Sequence, residues 1–180
     1  AMAAGKAIAD PARDIEYSTV VTAMCRNGVE FGIRISGLGD EWFTAPAPTV
    51  DGLYLPGYSA KDAGLDMGDS AITETVGWGG FVLGGAPGII SLVGGSPEEA
   101  LAYSREMRKI TVTTHPTYRM PALGFEGAPL GIDIRQVIQT SITAEGTVHA
   151  VHRNDAGEAK LPGGRTVRCH LVAQLSRERR

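Results

Sequence analysis

Alternation of apolar and polar residues is clearest between residues 19 and 35, where two β-prone runs, 19–26 and 29–35, flank Asn27-Gly28. Asn-Gly suits the positive φ angles of a type I′ turn, so the pattern predicts a β-hairpin with a two-residue loop. In that register Arg26 faces Val29, Met24 faces Phe31, Thr22 faces Ile33 and Val20 faces Ile35. Phe31, Ile33 and Ile35 then share one buried face, and Glu30, Gly32 and Arg34 share the other. Glycine between two opposite charges leaves a shallow hollow on that second face, either a seat for a small ligand or a plain solvated surface.

Helical periodicity is shorter-ranged. A helical stretch over Met2–Ala9 is stopped by Asp10 and Pro11. Ser96 opens a clearer helix as N-cap, with Pro97 at the first position and Glu99 closing a capping box. Behind it Ala100, Tyr103, Met107 and Ile110 recur at helical spacing and form one core-facing stripe. Asp133 with Gln136 reads as the cap of a short helix through Gln139, a better account of Asp133 than catalysis. Residues 111–114 form a short β-prone run, and an irregular stretch bracketed by Pro116 and Pro121 holds His115, Tyr118 and Arg119. Residues 166–175 alternate again and read as a strand.

Between these elements, residues 36–58 carry three prolines, several glycines and Trp42, Phe43, Tyr54 and Tyr58, with no sustained period. An ordered loop pinned over the hairpin by its aromatics is expected. The pattern as a whole predicts an α+β fold: a mixed or antiparallel sheet with a β-hairpin, long ordered Gly/Pro-rich loops and a few short helices. Residues 1–142 are expected to form the main α+β domain, with residues 143–180 expected as a strand-rich segment packed on it.

Composition narrows the function classes. The chain has 24 glycines among 180 residues, near twice the usual share of about 7%, placed singly or in pairs as tight turns require. A net charge of −3 with scattered Lys and Arg leaves no footprint for nucleic acid. Cys25 and Cys169 lie far apart, without metal or redox spacing, which fits a reducing compartment. The apolar stretch 78–93 is broken by glycines and shorter than the roughly 20 residues of a membrane span. Lys6 and Asp10 interrupt the alanine-rich start, so no secretory leader is expected and the location is cytoplasmic.

Few chemical motifs stand out. His149 and His152 are three apart in an expected strand and point to opposite faces, so no metal is expected. No GxSxG, P-loop or GxGxxG occurs, and Ser36-Gly37-Leu38-Gly39 lacks the following helix of a phosphate loop. The segment Gly68-Asp69-Ser70-Ala71-Ile72-Thr73-Glu74-Thr75 is compact and polar. Its hydroxyls and free N–H groups suit a phosphate or carboxylate; equally, Asp69 or Ser70 is an N-cap with Thr73 or Glu74 completing a capping box.

Longer blocks carry a family resemblance. Residues 18–24, Arg26-Asn27-Gly28-Val29-Glu30-Phe31-Gly32-Ile33-Arg34, Ser36-Gly37-Leu38-Gly39-Asp40 and Trp42-Phe43-Thr44-Ala45-Pro46-Ala47-Pro48 resemble the AllG or YlbE-like oxamate carbamoyltransferase subunits. Gly52-Leu53-Tyr54, Pro56-Gly57-Tyr58, the 68–75 segment, the helix after Ser96, Pro121-Ala122-Leu123 and Gly131-Ile132-Asp133 continue the match, which covers roughly residues 2–142. The resemblance implies the C-terminal part of such a subunit. It further implies allantoin-type nitrogen catabolism and partnership with FdrA-like and other subunits, or with further copies of the chain. The reaction implied interconverts oxalurate plus phosphate with oxamate plus carbamoyl phosphate, without a cofactor. Segment 148–165 departs from the family pattern.

Carbamoyl transfer asks for cations and N–H donors around small anions, and for a donor where negative charge develops on the carbamoyl oxygen. Arg26 and Arg34 suit the anions; Asn27, Ser70 and Thr73 suit amide and phosphate oxygens. Glu74, Asp69 and Asp40 either hold the arginines or accept amide protons. His115 is the general-acid candidate, set against a histidine whose bonds are satisfied locally. Segments 36–44 and 69–75 are expected to meet beside the hairpin in one pocket. The rival reading is a non-catalytic scaffold whose loops complete a site built by other subunits.

Overall fold

The computed structural model describes residues 1–47, 59, 64–92 and 95–140. Helix α1 spans Met2–Ala9 and runs into a 3-10 turn at Asp10–Ala12, where Pro11 ends the α-helical ladder. Gly5 and Ala9 are its buried positions. A Cβ on Gly5 would lie 3.5 Å from Thr73 Cα, so the bare glycine lets α1 rest closely on the turn that carries Thr73.

The hairpin forms from β1, Val21–Asn27, and β2, Glu30–Ile35. Its register differs from the expected one by two residues: Arg26 pairs with Phe31 and Met24 with Ile33. The Asn27 side chain is the cause. Its Oδ1 accepts from the N–H of Val29 (2.9 Å) and of Glu30 (2.7 Å), which stabilises a wider turn than two residues. A shift of two preserves strand parity, so Phe31, Ile33 and Ile35 are still buried together. The expected hollow at Gly32 is absent, because Trp42 covers it: a Cβ at position 32 would lie 3.2 Å from the indole.

Part of the expected loop is also strand. After a 3-10 turn at Ser36–Leu38, β3 (Phe43–Pro46) pairs antiparallel with β2 and brings Phe43 and Ala45 onto the apolar face. With β4, Met67–Gly68, on the other side of β1, the sheet order is β3-β2-β1-β4. Tyr54 and Tyr58 lie outside the described residues, as do residues 143–180 with the expected strand at 166–175, His149, His152 and Cys169.

The second half is α2 (Pro87–Leu92), α3 (Pro97–Arg108), β5 (Thr111–Met120), β6 (Glu126–Ile132) and α4 (Ile134–Thr140). The capping box at Ser96 forms, with Ser96 Oγ accepting from Glu99 N–H and the Glu99 carboxylate accepting from Ser96 N–H. Ala100, Met107 and Ile110 are buried as the stripe requires, with Tyr103 partly so. Strand β5 runs through His115, Pro116, Tyr118 and Arg119, where an irregular stretch is expected. A register shift between Thr114 and Arg119 in the β5–β6 pair leaves the proline region free of ladder bonds. Asp133 caps α4, accepting from Arg135 N–H at 2.9 Å, and also accepts from the Thr19 hydroxyl.

These elements share one core. Met24, Phe31, Ile33, Ile35 and Phe43 from the sheet meet Phe81, Met107, Ile110, Ile132 and Val137 from the second half. The result is an α+β fold built on antiparallel sheets, as the sequence pattern indicates. Among the described residues no helix is long and apolar enough to cross a membrane.

Candidate functional site

Strand pairing separates the two candidate arginines. Arg26 pairs with Phe31 and therefore projects to the apolar face, whereas Arg34 pairs with Ala23 and projects to the opposite one. The expected single pocket is thus divided between two centres on opposite faces of the sheet.

The inner centre is buried. Arg26 Nε lies 3.0 Å from Asp66 Oδ2, with both side chains fully shielded, and Arg26 Nη2 donates to Ser70 Oγ at 3.3 Å. Arg26 Nη1 is buried and has no hydrogen-bond partner among the described residues. Ser70, Thr73 and Glu74 sit on a 3-10 helix, Ser70–Val76, that packs against β1 and α1. Asp69 precedes it without a side-chain capping bond, so the expected capping box does not form there. Thr73 and Glu74 instead bond to each other.

The Thr73 hydroxyl serves two acceptors. Thr73 Oγ1 lies 2.7 Å from Ser70 O and 2.8 Å from Glu74 Oε2, yet one hydroxyl carries one proton. The Thr73 hydroxyl therefore shares its proton between the Ser70 carbonyl and the Glu74 carboxyl, both of which accept from it. Burial pushes the Glu74 carboxyl up to about 7, against the lowering effects of the Gly80 N–H, the Thr73 hydroxyl and Arg26. Because the folded value exceeds the ordinary 4.5, this group's contribution to stability is complete below about 4.5 and is lost as pH rises through about 7. The span corresponds to about 3 kcal/mol. Glu74→Gln should remove that slope, so denaturant midpoints at pH 5 and pH 8 converge in the variant and diverge in the parent.

The outer centre is accessible. Arg34 Nη2 donates to Gly39 O at 3.2 Å and meets Asp40 Oδ1, and Arg13 Nη2 donates to the same Oδ1 at 2.6 Å. The Arg34 guanidinium lies 5.8 Å from the centre of the Trp42 ring. Asp40 is 81% exposed, whereas Arg34 and Arg13 are 12% and 30% exposed.

Asn27 joins neither centre, its side-chain oxygen being engaged in the hairpin turn. His115 lies on the other sheet, stacked on Tyr118 with ring centres 4.1 Å apart. Its Nδ1 accepts from the N–H groups of Thr117 and Tyr118, which leaves Nε2 as the protonated nitrogen of the neutral ring. No hydrogen bond among the described residues joins it to either arginine. Two participants, Arg13 and Asp66, escape sequence reasoning. Lys6, Asp10 and Arg13, spaced four and three apart, do pair and could have flagged Arg13; Asp66 sits in no pattern. No cluster of three or more potential metal ligands occurs among the described residues.

Comparison with known proteins places this geometry in context. The family model for the oxamate carbamoyltransferase subunit AllG matches residues 1–70. The chain is 46% identical over 173 residues to the oxamate carbamoyltransferase subunit AllG of Escherichia coli K12, covering 96% of this chain and 41% of that one. The chain is AllG-like along nearly its whole length. It is also 52% identical over 163 residues to the uncharacterized protein YahG of the same strain, covering 91% of this chain and 34% of the relative. A crystal structure of a conserved protein of unknown function from Enterococcus faecalis V583 is 55% identical, with a TM-score of 0.74, covering 77% of this chain and 33% of that chain. The AllG-like chain therefore spans about two-fifths or less of the curated relatives it matches. Arg13, Arg26, Arg34, Asp40, Asp66, Asp69 and Ser70 all fall inside the segment matched by the family model; Thr73, Glu74 and His115 fall outside it.

Proposed function

We propose that the chain forms part of an oxamate carbamoyltransferase-type enzyme of nitrogen catabolism, acting in the cytoplasm with FdrA-like and other subunits or further copies of itself. Its substrates are small anions: oxalurate and phosphate in one direction, oxamate and carbamoyl phosphate in the other. The observation that carries the reading is the 46% identity to an oxamate carbamoyltransferase subunit along nearly the whole chain, through the segment that builds both arginine centres.

In this reaction a phosphate oxygen attacks the carbamoyl carbon of oxalurate. The C–N bond to the oxamate nitrogen breaks, and that nitrogen gains the proton that phosphate loses. Catalysis consists of holding two anions together and stabilising charge on the carbamoyl oxygen, which fixed guanidinium donors do without reorganisation. Arg34 is the donor at the outer centre, where the exposed Asp40 carboxylate meets it. Arg26, Asp66, Ser70, Thr73 and Glu74 set the shape of the sheet's inner face, which makes them positioning residues.

Glu74 is buried and the His115 Nδ1 faces backbone amides, so neither offers a proton at Arg34. This favours a site completed by other segments over one contained in the chain, and it is also what a scaffold reading would use. Reconstitution separates the two. The purified 180-residue chain should form no carbamoyl phosphate from oxalurate and phosphate; supplying the remaining family region and the partner subunits should produce it. Turnover by the chain alone, or identical turnover by the assembly lacking it, would refute the proposal.

A further inference from the structure

We propose that Arg13 and Arg34 form a binding site for the carboxylate of a small planar acid, and that Asp40 closes this site in the free protein by occupying it as an internal carboxylate. The inference deepens the transferase reading at Arg34 and rests on it for the choice of acid, but its test reads binding without turnover, so the two fail separately.

Three observations converge. Two guanidinium groups from distant points of the chain meet at one oxygen, Asp40 Oδ1, so the positive field is focused where a single carboxylate sits. Exposure is inverted relative to an ordinary surface pair: the cations are largely buried while the anion is 81% exposed. The site is therefore fixed and its occupant is not. Third, Arg13 Nε and Arg34 Nε are buried with no hydrogen-bond partner among the described residues, so Asp40 leaves donor capacity unused.

The surroundings favour exchange. Asp40 follows Gly39, whose φ of +64° suits glycine and whose missing Cβ faces open space, so the carboxylate can swing outward without displacing a packed group. Trp42 supports Arg34 from beneath and holds the guanidinium plane as the occupant changes. The charged groups nearby are Lys6, Arg13 and Arg34 against Asp10 and Asp40; Asp10 pairs with Lys6 and lies 3.9 Å from Arg13. With Asp40 swung away, three cations face one acid, and an external carboxylate restores the balance.

The test is titration of the 180-residue chain with oxamate at constant ionic strength, following the Trp42 indole N–H and the Arg13 and Arg34 Nε–H resonances by NMR. An internal competitor lowers apparent affinity by the fraction of molecules in which the site is open. If Asp40 occupies the site nine-tenths of the time, Asp40→Asn should bind oxamate roughly tenfold more tightly. Arg13→Gln should abolish the shifts while leaving the amide spectrum of the hairpin unchanged. The proposal is overturned if Asp40→Asn binds no tighter than the parent, if chloride produces the same shifts at the same concentrations, or if inorganic phosphate binds in preference to oxamate.

Discussion

Replacing Gly79 with alanine should destabilise the protein by about 4 kcal/mol. Two penalties combine. Gly79 has a φ of +62°, a conformation that costs an L-residue with a Cβ roughly 1–2 kcal/mol. The Cβ would also fall inside the contact distance of the Glu74 carboxylate, which is itself buried and anchored by Gly80 N–H and Thr73. Moving Glu74 aside breaks those bonds in a place where water cannot replace them. Gly88→Ala is the control: position 88 is exposed, lies within α2 and has no atom near its missing Cβ, so the change there should be neutral or slightly stabilising. Urea denaturation reads both. Coupling is the sharper test, because Gly79→Ala should cost markedly less in a Glu74→Ala background, where the obstructing carboxylate is gone. Equal costs in the two backgrounds would show that Glu74 is not what the glycine accommodates.

That contact also shows where the sequence is legible and where it is not. Helix α1 and helix α3 follow directly from local chemistry, the first stopped by Asp10-Pro11 and the second opened by Ser96 and Glu99. The hairpin and its apolar face are equally legible, because alternation needs no tertiary information. Its register is not. Asn27 is able to serve a two-residue turn through its backbone or a wider one through its side chain, and the structure uses the side chain. Strand β3 is hidden because Pro46 and Pro48 obscure a four-residue alternation that only pairing with β2 stabilises. Strand β5 continues past Pro116 because the partner register slips there, a fact that lives in β6 as much as in β5.

The candidate site was legible as a set of residue types and illegible as an arrangement. Parity along β1 and β2 decides that Arg26 and Arg34 face opposite ways, and the segments carrying Asp40 and Glu74 follow them to separate centres. Asp66, the partner of Arg26, comes from an isolated position before a two-residue strand, where periodicity has nothing to report. Arg13 approaches Asp40 from a turn 27 residues away in sequence, a juxtaposition made by tertiary packing alone.

Arg34→Ala, made in the reconstituted assembly, bears most directly on the claim that this chain supplies part of a carbamoyl-transfer site. Arg34 is the guanidinium paired with the exposed Asp40, and its fork geometry matches a carboxylate or phosphate in a way a single ammonium does not. Removing a fixed donor that stabilises transition-state charge lowers kcat by roughly 10²–10³-fold. Arg34→Lys, which keeps the charge and loses the fork, should recover part of that loss. Circular dichroism and co-purification of the subunits report that fold and assembly persist, which isolates the chemical effect. The decisive readout is the rate of carbamoyl phosphate formation from oxalurate and phosphate: the account predicts at least a hundredfold loss for Arg34→Ala with partial rescue by Arg34→Lys, and an intact Arg34→Ala assembly that turns over at the parent's rate would contradict it.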